Sequence, residues 1–304
     1  MAHSFLEYAR LKTIFTTIRL LVNWSATPPK PDDSYSFRSR DGSRNIKVNV
    51  YRSKWSSSPK AVVLNFYGGG FVLTGHGSDD LFCRRIADQT IYTVLDASYA
   101  LAPEYPFPAG LEDVEDMIQH VLLQPEEYDV QNIVLSGFSS GANLAVAAAS
   151  NPDITTTPKD TIRPVCAFYL PTKITISQLE KTAPDGSTAQ IPPPISNASR
   201  AAYTLPGTDL ADPRLSVLNA HPSNFPKDIF IATAEKDVLA FEGEELASKL
   251  RKAGKRVVSE RFNGVGHGWD KTKDEDSIDA KVRDKAYDMV IQFLSDLNRW
   301  PRRA

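Results

Sequence analysis

Cysteine is scarce: the 304-residue chain holds two, Cys83 and Cys166, neither in a CxxC pair nor in a cluster with metal-ligand spacing. A disulfide framework and a zinc site are therefore set aside, and both thiols read as buried and free. Charge of one sign is equally scarce. With 35 Lys and Arg against 37 Asp and Glu, the formal net charge of -2 supplies no field for nucleic acid or an anionic membrane. A long apolar run is also missing, since the N-terminal stretch LKTIFTTIRLLVNW is broken by Lys12, Thr13, Thr16, Thr17 and Arg19, with no clean small-residue cleavage site after it. Its apolar residues Leu11, Ile14, Phe15, Ile18 and Val22 recur at helical spacing. The segment reads as an amphipathic helix packed on the protein. A cytoplasmic location without stable membrane insertion is the matching expectation, and the sequons at Asn23 and Asn197 then carry little weight.

What is present is alternation. From Ala61 onward, the apolar strand-like runs AVVLNFY, IYTVLDA, NIVLS, PVCAFYL, DIFIATA and VVSERF are separated by helical patterns, and a last helix runs from about 276 to 299. Strands apolar throughout and separated by helices predict a mostly parallel sheet covered on both faces, a doubly wound α/β architecture. Two stretches break the rhythm. Residues 1–35 hold the amphipathic helix and a proline-rich stop, and residues 172–212 hold APDGSTAQIPPPISN, a long irregular insertion of the kind that forms lids and binding loops. Both are expected to form a cap over the carboxyl edge of the sheet, with 36–171 and 213–304 as the core.

GFSSG, residues 137–141, places Ser139 between the NIVLS strand and an Ala-rich helix. A sharp turn there lifts a hydroxyl clear of the sheet and sets it at a helix N-terminus, where negative charge is favoured. A serine in an ordinary tight turn is the competing reading. A nucleophile needs a base and an orienting carboxylate. Among five histidines, His267 lies in the glycine-rich loop GVGHGWD after a strand, and Asp237 follows DIFIATA, with Glu235 as its neighbour and competitor. Separately, His267 could be a surface histidine and Asp237 a helix cap. The chain order Ser, Asp, His is nevertheless the order of an α/β-hydrolase triad. YGGGF, residues 67–71, follows AVVLNFY, and its backbone N–H groups suit a developing oxyanion, as does the N–H of Ser140.

Together these motifs resemble the hormone-sensitive-lipase-like carboxylesterases of the α/β-hydrolase superfamily. YGGGF resembles the HGGGF oxyanion motif, ASYALAPEYPFPAGLEDV the DYRLAPE-x-PFPA block, GFSSG the GDSAG elbow, EKDVL the acid loop and GHGW the HGF loop. The resemblance implies an α/β-hydrolase fold and a serine carboxylesterase that needs no cofactor or metal. It implies Ser139 as nucleophile, His267 as general base, Asp237 as its orienter, and Gly69, Gly70 and Ser140 as oxyanion donors. Tyr67, Ala100, Phe138 and Ser140 depart from the motifs. Phe71, Tyr99, Phe138, Tyr203 and Trp269 are candidates to line an apolar pocket for a small-molecule ester, with core packing as the alternative for each. Lactone opening, acyl transfer or cyclisation, and a non-catalytic receptor on the same fold remain alternatives, and a homodimer is compatible with the resemblance.

Overall fold

Ser4 opens the first element. Its hydroxyl accepts the Glu7 N–H at 3.3 Å and caps helix α1, Phe5–Ser25, as the Ser-x-x-Glu spacing favours. The computed structural model describes residues 3–152 and 161–299. After α1 come strands β1 (Asp33–Arg38), β2 (Asn45–Tyr51) and β3 (Lys60–Phe66), helix α2 (Asp80–Gln89), strand β4 (Thr93–Ala97) and helix α3 (Ala109–Leu122). Strand β5 (Tyr128–Phe138) leads into α4 (Ser140–Ala149), and β6 (Ile162–Phe168) is followed by α5 (Pro193–Tyr203). The chain finishes with β7 (Asp228–Lys236), α6 (Ala240–Lys252), β8 (Arg256–Gly266) and α7 (Ile278–Arg299).

The strands form one sheet in the order β1-β2-β4-β3-β5-β6-β7-β8. β1, β2 and β4 pair antiparallel and the remainder pair parallel. Alternate residues of each buried strand serve opposite faces. Val62, Leu64, Phe66, Ile133 and Leu135 pack with α3, α4 and α6, whereas Val63, Val134 and Phe138 pack with α2 and α7. The apolar runs in the sequence are continuous because both faces are covered.

Three elements differ from expectation. β1 and β2 were not anticipated: DSYSFR lies largely exposed at the sheet edge and carries little apolar signal, and the buried apolar residues of NIKVNVY are interrupted by Asn45, Lys47 and Asn49. The irregular insertion contains α5, whose prolines lie in its first turn, where a missing N–H costs nothing. α1 and α5 meet, with Leu11, Phe15, Ala198, Ala202 and Tyr203 buried in the same core cluster. Arg19 ties α1 down: its guanidinium donates to the Val72 and Ala102 carbonyls at 2.6 Å and pairs with Glu104 at 3.0 Å. Both thiols, Cys83 and Cys166, are buried and free. Among the described residues no helix is long and apolar enough to cross a membrane.

Candidate active site

β5 ends at Phe138 and α4 begins at Ser140, so Ser139 alone makes the turn, at φ 50° and ψ -119°. That backbone region is costly for a residue with a Cβ. It is held by the Ser139 N–H bonded to the Phe168 carbonyl and the Ser139 carbonyl accepting from Asn143 N–H. Close approach forbids side chains on both sides: a Cβ on Gly141 would lie 2.1 Å from the Phe66 carbonyl oxygen. Among the described residues the non-glycine positions with positive φ are Phe71, Ser139 and Tyr169, all just past carboxyl ends of neighbouring strands. Strain of this kind gathers where a site is held open.

The structure brings the three expected residues together. His267 Nε2 lies 2.9 Å from Ser139 Oγ, and His267 Nδ1 lies 2.8 Å from Asp237 Oδ2. The second Asp237 oxygen accepts the Leu239 N–H at 3.0 Å. The carboxylate therefore both shapes the turn before α6 and faces the imidazole, and it is not the helix cap of the competing reading, since Leu239 occupies the N-cap position. Glu235, the competitor, is directed elsewhere: its carboxylate accepts the Gly264 N–H at 2.7 Å, and Asp237 is the carboxylate that meets His267. Burial alone would lower the His267 pKa, but the Asp237 charge, its hydrogen bond and the field of Asp270 outweigh this, so the pKa lies above the ordinary value. Ser139 and His267 are partly solvent-accessible, whereas Asp237 is buried.

The oxyanion loop passes against the elbow. A Cβ on Gly68 would come 3.1 Å from that of Ser139. Gly69, expected as a free donor, instead directs its N–H to the Ser140 hydroxyl at 3.0 Å. The Gly70 and Ser140 N–H groups donate to no protein atom among the described residues. Ser140 begins α4, so the helix dipole adds to its N–H.

A family model for the alpha/beta hydrolase fold matches residues 63–271. The chain belongs to this family. It is 33% identical over 164 residues to arylacetamide deacetylase of Oryctolagus cuniculus, a match spanning 49% of this chain and 40% of that protein. It is 29% identical over 239 residues to carboxylesterase NlhH of Mycobacterium tuberculosis, covering 75% of this chain and 72% of the other. An esterase of Pyrobaculum calidifontis superposes with a TM-score of 0.78 at 25% identity, over 98% of this chain and 99% of its own.

All five aromatic residues expected to line the pocket of this alpha/beta hydrolase are buried, and three of them, Phe138, Trp269 and Tyr99, pack inside the fold. Phe138 is fully buried, stacked on Phe168 at 4.5 Å, because it points from β5 to the α2 and α7 side of the sheet. Trp269 is buried against Tyr169 and Phe262. Tyr99 is buried in a hydrogen-bonded position behind the loop. Phe71 and Tyr203 do meet, stacked at 3.8 Å, where α5 touches the oxyanion loop. Tyr169 went unread in the sequence. Its ring stands edge-on to His267 at 4.7 Å, and its hydroxyl donates to buried Asp270. Its signal was position alone, at the carboxyl end of the strand between the elbow strand and the acid strand. Asp270 also accepts from Tyr287 at 2.9 Å and pairs with Lys271, whose ammonium reaches Asp79 as well and lies 3.8 Å from the Phe138 ring centroid.

Proposed function

We propose that the chain is a serine carboxylic-ester hydrolase working through an acyl-enzyme, with Ser139 as nucleophile, His267 as general base and Asp237 as its orienter. The observation that carries this reading is the unbroken run from Ser139 Oγ through His267 to Asp237, at 2.9 and 2.8 Å. Ser139 attacks the ester carbonyl while His267 Nε2 takes its proton, and the resulting oxyanion accepts from the Gly70 and Ser140 N–H groups. The imidazolium then protonates the leaving alcohol, and water repeats the sequence on the acyl group.

α1 and the 172–212 insertion act as the cap in this reading, and the Phe71–Tyr203 stack joins α5 of that insertion to the loop that carries Gly69 and Gly70. The arylacetamide deacetylase likeness supports small or aromatic esters over long triglycerides. The two buried free thiols support a reducing, cytoplasmic setting. Lactone opening, acyl transfer and a receptor role have no observation in their favour.

The test is hydrolysis of nitrophenyl esters of graded acyl length, beside labelling by a serine-directed fluorophosphonate. Ser139→Ala is expected to lose turnover by about a millionfold, and all labelling, with an unchanged circular dichroism spectrum. Labelling of wild type without turnover of any ester would move acyl transfer ahead of hydrolysis, and neither would leave the receptor reading.

A further inference from the structure

The Ser140 backbone has a role in the reading above; its hydroxyl has none. The Ser140 oxygen accepts the Gly69 N–H at 3.0 Å and lies 3.2 Å from the Tyr99 hydroxyl, which in turn donates at 2.9 Å to the Tyr67 carbonyl. Counting hydrogens sets the direction. Tyr99 has one, spent on Tyr67, so its oxygen accepts from Ser140, whose own oxygen accepts from Gly69. The run from the Gly69 N–H through Ser140 and Tyr99 to the Tyr67 carbonyl thus begins and ends on the oxyanion loop, one residue either side of Gly68. Ser140 and Tyr99 are 1% and 5% exposed, so water does not compete for these bonds. The Tyr67 and Tyr99 rings stack at 4.5 Å, adding a second contact between the loop and the same tyrosine.

We propose that the Ser140 hydroxyl, acting through Tyr99, is a positioning residue for the oxyanion loop. It turns the Gly69 peptide away from the reacting carbonyl and holds the following peptide so that the Gly70 N–H meets the oxyanion. The hole then has two backbone donors, Gly70 and Ser140, and the Gly69 N–H is committed to the scaffold. This rests on the ester-hydrolase reading.

Steady-state kinetics on nitrophenyl butyrate separate positioning from bulk structure when run on wild type, Ser140→Ala, Tyr99→Phe and the double variant. Inhibition by an aryl trifluoromethyl ketone, which forms an oxyanion on the nucleophile, is measured beside them. Ser140→Ala is expected to lower kcat about tenfold, the rate equivalent of about 1.4 kcal/mol, with KM within about twofold. Ketone inhibition weakens by the same factor, while the acid limb of the pH profile stays in place because His267 keeps its partners. Tyr99→Phe, which removes a single oxygen, behaves alike, and the double variant is no worse than the poorer single one, since both interrupt one chain. A Ser140→Ala enzyme as fast as wild type or faster overturns the proposal, because the hydroxyl would then be withholding a useful donor. So does a loss confined to KM, or fully additive losses. A wild type inert to both ester and fluorophosphonate overturns the hydrolase reading itself, and the proposal falls with it; an active wild type beside an unimpaired variant overturns the proposal alone.

Discussion

At His267 three influences oppose one another: burial favours the neutral ring, while Asp237 and the more distant Asp270 favour the charged one. The carboxylates prevail, so the pKa is raised. The general-base role proposed for His267 needs the neutral ring, and kcat/KM is therefore expected to climb through a midpoint above the ordinary histidine value of about 6.5. Asp237→Asn removes the main cause of that shift, so the midpoint moves to lower pH while the plateau falls by about ten-thousandfold. A pH–rate profile of the two enzymes checks both effects. That Ser139, Asp237 and His267 come together is legible in the sequence because each follows an apolar strand, in the chain order of a hydrolase triad. Phe138 and Trp269 are misread for the converse reason: an aromatic beside a motif looks the same whether it faces substrate or core. Which way the Gly69 N–H turns is not legible, because it depends on a serine hydroxyl and a tyrosine hydroxyl brought together from separate motifs.

At the level of elements, the elbow works because α4 lies almost in contact with the end of β3. Gly141→Ala would press a methyl group onto the Phe66 and Tyr67 carbonyls, whose oxygens lie 2.1 and 2.3 Å from where its Cβ would sit. Backbone cannot yield as a flexible side chain can, so a loss of about 3 kcal/mol in denaturant unfolding is expected, together with loss of activity as the turn shifts. The inner strands β3 to β7 and their helices are readable from apolar runs since both sheet faces are covered there, whereas β8 at the sheet edge is largely half-exposed. β1 escapes the same reading because its pairing, Asp33 opposite Val50 through Arg38 opposite Asn45, is satisfied by backbone bonds at an exposed edge and asks little of side chains, and β2, NIKVNVY, because Asn45, Lys47 and Asn49 interrupt its buried apolar residues.

Across the whole molecule, a buried ionic cluster joins parts of the chain that are distant in sequence. Lys271 meets Asp79 and Asp270, both of which have fully buried side chains, while Asn65 donates to Asp79 and Asp96. Burial would lower the Lys271 pKa, but the two carboxylates raise it above its ordinary value, keeping it charged. Lys271→Met leaves two buried carboxylates without their cation and is expected to cost about 3 kcal/mol of unfolding free energy. A denaturant titration reads this, with activity falling as Asp270 loosens its hold on Tyr169 behind the imidazole.

The turn at Ser139 implies a conflict between durability and use. A positive φ of 50° suits glycine, which has no Cβ to clash, so Ser139→Gly is expected to melt at a higher temperature than wild type, relieved of about 1 kcal/mol, while hydrolysing nothing. Selection for heat resistance alone would discard the one atom the rest of the fold is arranged to present.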